Sequence, residues 1–136
     1  RLLDMGVENF LLSSTVRGIL AQRLLRTICP QCKEVDTTGA DQEEFRALGM
    51  TDNVLLYRGR GCESCSHTGF YGRTGIFELL VIDDEIRKLI LASADANQIR
   101  AVARQRGMRT LLEDGVKKIT AGETTLNEVF RVTQEA

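Results

Sequence analysis

The 136-residue chain has no tryptophan, one proline and one histidine, and nowhere does it string together 18 apolar residues. Without such a run no helix is expected to span a membrane, and no signal-peptide pattern precedes the first element. With His67 as the only histidine and no serine in an elbow motif, a Ser-His-Asp nucleophile is excluded. The sequence also lacks GxxxxGK(S/T), so it cannot hold ATP on a P-loop of its own. Its carboxylates fall mostly at helix starts, where capping explains them, and no catalytic residue is assigned. A formal net charge of −1, with two Tyr and five Phe, supplies no basic, aromatic-lined surface, and no nucleic-acid partner is expected. An initiator methionine is missing too: Arg1-Leu2-Leu3-Asp4-Met5-Gly6 reads as a last helical turn stopped by glycine, and the chain is expected to be a piece of a longer protein.

What remains is ordinary globular material, 43% hydrophobic and 27% charged, enough for one domain or two small ones. Its four cysteines form two pairs, Cys29-Pro30-Gln31-Cys32 and Cys62-Glu63-Ser64-Cys65, with 29 residues between them. Thiolates three positions apart on a tight turn grip an ion from one side, and a second pair closes a tetrahedron. Four soft ligands with no open position favour a structural zinc ion held by Cys29, Cys32, Cys62 and Cys65. A rubredoxin-like iron site uses the same ligand set, and two small-loop disulfides are the other alternative. His67 is read as a polar neighbour of the site, since four cysteines already complete it. Reduced cysteines imply a cytosolic setting.

Along the chain, apolar residues at three- and four-residue steps (Phe10, Leu12, Val16, Ile19, Leu20, Leu24, Ile28) predict one long helix over Glu8–Ile28, buried as core and ended by Cys29-Pro30. Lys33 to Asn53 form an acidic finger with a short helix opened by Asp41-x-x-Glu44 and closed by Gly49, and Val54–Tyr57 read as a strand. Gly69, Gly72 and Gly75 mark a turn packed on the knuckle, and Ile76–Ile82 a buried strand. The last third is helical: Asp83 or Asp84, Asp95-x-x-Gln98 and Thr125-x-x-Glu128 cap three helices, and Thr110–Ala121 forms another. Arg100 to Lys118 carries six basic residues, read as a solvated face. The fold class expected is α+β and mainly helical: a tetracysteine subdomain with short strands, then a helical subdomain.

Two stretches resemble a known family. Gln22-Arg23-Leu24-Leu25-Arg26-Thr27-Ile28-Cys29-Pro30-Gln31-Cys32-Lys33 is similar to the QRLxRxxCPxCK segment of bacterial type II secretion and type IV pilus assembly ATPases. Gly61-Cys62-Glu63-Ser64-Cys65 with Thr68 through Glu78 resembles the family's GCxxCxxTGYxGRxGIxE, with Phe70 where tyrosine is usual. The opening Arg1 to Glu8 and the closing Gly122 to Val129 extend the likeness across nearly the whole chain. The wording RTGIFELL and the ending GETTLNEVFRVTQE are closer to the secretion branch than to the pilus branch.

The resemblance implies a hexameric cytoplasmic ATPase with a RecA-like domain, whose ATP and Mg2+ site lies upstream of Arg1 and which drives an inner-membrane platform in pseudopilus assembly. On that basis residues 1–28 are expected to end the RecA-like domain, 29–75 to form the zinc-binding subdomain, and 76–136 to be a strand and helical subdomain. The partners implied are further copies of the chain and inner-membrane platform proteins, with the protein peripheral at that membrane. Arg23, Arg26 and Arg73 are the residues that would approach nucleotide or a neighbouring subunit, or else make ordinary ion pairs.

Overall fold

A computed structural model describes residues 1–50 and 54–134. Among them are six α-helices and four strands: α1 (Asn9–Thr15), β1 (Gly18–Ile28), β2 (Lys33–Val35), α2 (Ala40–Ala47), β3 (Tyr57–Gly59), β4 (Phe70–Val81), α3 (Asp84–Leu91), α4 (Ala96–Gln105), α5 (Leu111–Thr120) and α6 (Leu126–Thr133). The α+β class expected from the sequence is the class observed. β1 pairs with β4, and β2 pairs antiparallel with β3 in the register Lys33↔Gly59, Glu34↔Arg58, Val35↔Tyr57.

Contacts divide the chain into two compact units: Arg1–Ala21 with Glu78–Thr110, and Gln22–Phe77 with Leu111–Ala136. In the first, Ile82, Ile86 and Ala103 form the core, with Val16, Leu89, Ile99 and Val102 packed around them. Asp83 caps α3 by accepting the Ile86 N–H and also pairs with Arg106. Asp95 and Gln98 form the reciprocal capping box that the sequence predicts for α4. In the second unit Leu25, Phe45, Leu56, Ile76, Val116, Ile119, Leu126, Val129 and Val132 form the core.

The long helix expected over Glu8–Ile28 is not there. α1 stops at Thr15, Val16 is extended (φ −75°, ψ 126°), and residues 18–28 are strand. Periods 2 and 3.6 are hard to tell apart in a run with apolar pairs such as Ile19-Leu20 and Leu24-Leu25, and pairing with β4 decides for the strand. Alternation sends Leu25 into the core and leaves Leu24 exposed, so the single buried stripe expected there is also corrected; Phe10, Ile19 and Leu20 are exposed as well. The same pairing carries β4 back to Phe70, through glycines expected to form a turn.

Three smaller expectations also change. β3 begins at Tyr57 instead of spanning Val54–Tyr57. α2 starts from Gly39 in the left-handed region with no side-chain cap, so Asp41 lies inside its first turn. Thr125 does accept the Glu128 N–H, but the Glu128 carboxylate turns elsewhere, leaving half a capping box. Asp52 and Asn53 of the acidic finger lie outside the described residues.

Candidate metal centre

The first knuckle follows β1 directly, and the second follows β3 through Arg60 and Gly61. Each knuckle is tied to the other's surroundings by backbone: Cys29 N–H donates to the Gly69 carbonyl at 2.9 Å and Arg60 N–H to the Cys32 carbonyl at 3.1 Å. Glu63–Cys65 make one 3₁₀ turn, after which Ser66 (φ 54°) and His67 (φ 62°) reverse the chain.

That reversal sets Gly69 against Gly59. A Cβ added at Gly69 would lie 2.5 Å from the Gly59 carbonyl oxygen, and one at Gly59 would fall on the Gly69 carbonyl. Both obstacles are backbone, so only glycine on each side permits the approach. The glycine-rich stretch predicted to pack on the knuckle does so through this pair, though as the start of a strand and not as a turn.

The four sulfurs converge. Cys29, Cys32, Cys62 and Cys65 each offer one Sγ, and these atoms all lie within 4.8 Å of one another. The pairs Cys62–Cys65, Cys29–Cys62 and Cys32–Cys65 are separated by 3.7, 3.8 and 3.9 Å. None of the four is in a disulfide. His67 does not belong to the group. Cys29, Cys32 and Cys65 are buried, and Cys62 is partly exposed.

Backbone N–H groups point at the sulfurs, with the Cys65 N–H facing the Cys62 side chain across the 3₁₀ turn. Cys65 Sγ accepts from Cys62 N–H at 3.3 Å and from Gly69 N–H at 3.2 Å, and Cys32 Sγ accepts from Gly61 N–H at 3.3 Å. Burial pushes the Cys65 thiol up, but these two donors and the neighbouring thiols outweigh it and bring it down to about 6. Burial, with hydrogen bonds to the other three thiols, pushes Cys32 up to about 11 against the Gly61 N–H. Four adjacent thiols, three of them buried, therefore cannot all ionise by themselves, because each new thiolate opposes the next. A bound divalent cation removes that conflict, and the donors are already aimed as a tetrathiolate requires. The residues fit a structural metal.

A second polar cluster flanks the knuckles. Glu128, 2% exposed, receives Arg26 Nε and Nη2 at 2.9 and 2.7 Å on Oε1, Arg26 N–H at 2.9 Å on Oε2, and Arg131 Nε and Nη2 at 3.0 and 2.8 Å. Burial raises the Glu128 carboxyl, yet the two guanidiniums and the Arg26 N–H carry it down to about 2. The Arg26 guanidinium also lies 4.2 Å from the Phe70 ring centroid. Lys33 stands 4.5 Å over Tyr57. Sequence reading did not find Glu128; the only signal for it was its place in a capping motif.

Of the three arginines named from the sequence, Arg26 is held in this ion pair, Arg23 Nη1 donates to the Gln22 carbonyl, and Arg73 is exposed on β4. In the basic stretch, Arg106 pairs with Asp83, and Lys118 with Glu123 at 3.4 Å. Among the described residues no helix is long and apolar enough to cross a membrane.

Residues 1–131 match the sequence model of the family described as Type II/IV secretion system protein. This chain belongs to that family. It is 48% identical over 140 residues to the type IV pilus assembly ATPase PilB of Thermus thermophilus, covering 99% of the chain and 15% of that relative. It is 43% identical over 136 residues to the type II secretion system ATPase E of Vibrio cholerae, covering 100% and 27%. It is 46% identical over 137 residues to type II secretion system protein E of Pseudomonas aeruginosa, covering 99% and 27%. The chain thus spans between 15% and 27% of the length of these curated relatives.

Proposed function

We propose that this chain is the zinc-bearing, C-terminal part of a hexameric ATPase that powers type II protein secretion, with Cys29, Cys32, Cys62 and Cys65 as the zinc ligands. The observation that carries the reading is the convergence of the four sulfurs within 4.8 Å, inside a sequence that matches the secretion family almost end to end. When bound, zinc supplies a fixed crosslink between the two knuckles, beside a core to which the segment between them contributes Phe45 and Leu56. The chain's own residues orient that crosslink: the Cys62, Gly69 and Gly61 N–H groups set sulfur directions, and the Gly59–Gly69 approach sets how far apart the knuckles stand.

In this account ATP and Mg2+ bind elsewhere in the longer protein, in a RecA-like domain of which residues 1–28 are the end. The metal module, residues 29–75, acts as a rigid docking element, and residues 76–136 pack against neighbouring domains or subunits. The whole works on the cytoplasmic face of the inner membrane, transmitting ATP-driven motion to a membrane platform that assembles a pseudopilus. A second reading, the same role in a type IV pilus assembly ATPase, is favoured by the 48% identity to the Thermus thermophilus relative.

Replacing Cys29 and Cys32 by serine in the chromosomal gene tests both. Loss of extracellular enzyme secretion with surface pili intact supports the secretion reading. Loss of pili with secretion intact supports the second. Retention of both contradicts a working role for the metal module.

A further inference from the structure

The four cysteines are not equivalent. Cys29 is 1% exposed and Cys32 and Cys65 are 5% exposed, whereas Cys62 is only partly buried. The backbone donors are also unevenly shared: Cys65 Sγ has two N–H groups, Cys32 Sγ has one, Cys62 Sγ faces the Cys65 N–H in a reciprocal capping pair, and among the described residues Cys29 has none. An N–H aimed at a thiolate draws off charge and blunts its attack on electrophiles, and burial denies the electrophile access. Cys29 lacks the donor but is shielded. Cys62 faces one donor but is the one ligand of the four that burial does not shield.

We infer that Cys62 is the ligand at which peroxides and soft electrophiles open the metal site. The inference rests on the zinc reading above. Its chemistry balances with peroxide as the oxidant. The Cys62 thiolate attacks one peroxide oxygen, the O–O bond breaks, hydroxide leaves, and Cys62 becomes a sulfenic acid. A second cysteine thiolate attacks that sulfur, an S–S bond forms, and a second hydroxide leaves. Two thiolates have then lost two electrons and peroxide has gained them. With two ligands consumed, the site no longer holds its ion. Two of the three close sulfur pairs contain Cys62, to Cys65 at 3.7 Å and to Cys29 at 3.8 Å; the third, Cys32–Cys65 at 3.9 Å, does not.

The test begins with zinc stoichiometry of the purified protein by native mass spectrometry. The zinc-loaded protein is then given substoichiometric hydrogen peroxide, or brief pulses of N-ethylmaleimide. Released zinc is read with a chromogenic chelator, and modified cysteines are mapped on peptides. The expected result is that Cys62 is alkylated first, that the first disulfide contains Cys62, and that one zinc is lost per disulfide formed. Cys62→His keeps a four-donor set and is expected to hold zinc while slowing its release by peroxide. If that variant binds no zinc, the mapping on the unsubstituted protein decides alone. A first disulfide between Cys32 and Cys65, or earlier alkylation of any other ligand in protein that holds one zinc, overturns the inference and leaves the zinc reading standing. Protein that binds no zinc overturns both.

Discussion

Arg26 on β1 and Glu128 on α6 stand 102 positions apart in the chain and share three hydrogen bonds of 2.7 to 2.9 Å. The Thr124 hydroxyl also donates to the Arg26 carbonyl at 2.8 Å, and Ile28 N–H donates to the Glu123 carbonyl at 2.9 Å. The strand that enters the first knuckle is therefore held to the start of the last helix by contacts that do not involve the sulfurs.

The depressed Glu128 carboxyl makes this tie pH-dependent. Its folded value of about 2 lies below the ordinary 4.5. The unfolded state thus takes up protons first, and the stabilisation is complete above about pH 4.5 and lost as pH falls toward 2. Urea midpoints measured between pH 6 and pH 2.5 should fall across that window, and Glu128→Gln should flatten this part of the curve.

Substituting Glu128 separates it from its partners. Glu128→Gln keeps the shape but removes the charge from hydrogen bonds with two guanidiniums, and is expected to cost about 2 kcal/mol. Arg131→Ala leaves Arg26 in place, and Arg131 is half exposed, so its loss should be smaller. Equal losses in chemical denaturation would mean that the carboxylate is held by Arg131 alone.

Gly115, in the middle of α5, sets two effects against each other. Alanine there gains about 1 kcal/mol of helix propensity. Its Cβ would lie 2.5 Å from Val129 Cγ1, however, and Val129 is fully buried, so overpacking of about 1–3 kcal/mol opposes the gain. Gly115→Ala is expected to lower the thermal midpoint, and adding Val129→Ala to cost less than its effect in the unsubstituted protein.

Gly59→Ala is a sharper case, because its methyl meets backbone that cannot rotate away. Forcing β3 from Gly69 moves the Gly69 N–H off Cys65 Sγ. Zinc affinity in a competitive chelator titration should fall at least as far as the 10- to 100-fold typical of lost outer-shell partners. An unchanged affinity would mean the knuckles are placed independently of the glycine contact.

The four-cysteine cluster was legible because it is local: CxxC spacing fixes two sulfurs on one turn, and only the meeting of the two turns needed the fold. The same holds for the caps at Asp83 and Asp95, whose partners lie three residues on. Residues 18–28 were misread because their helical periodicity gives way to pairing with β4, about 50 residues away, which no window over the segment contains. Glu128 was hidden for a related reason. Its spacing from Thr125 predicts a reciprocal cap, but two arginines outcompete the single N–H that the cap offers.

Metal content is the most direct test of the four-cysteine site. Native mass spectrometry of the purified protein, before and after a strong chelator, should find one zinc per chain that the chelator removes. Protein with no metal and two disulfides, or with iron in the same four-cysteine site, would contradict the zinc reading.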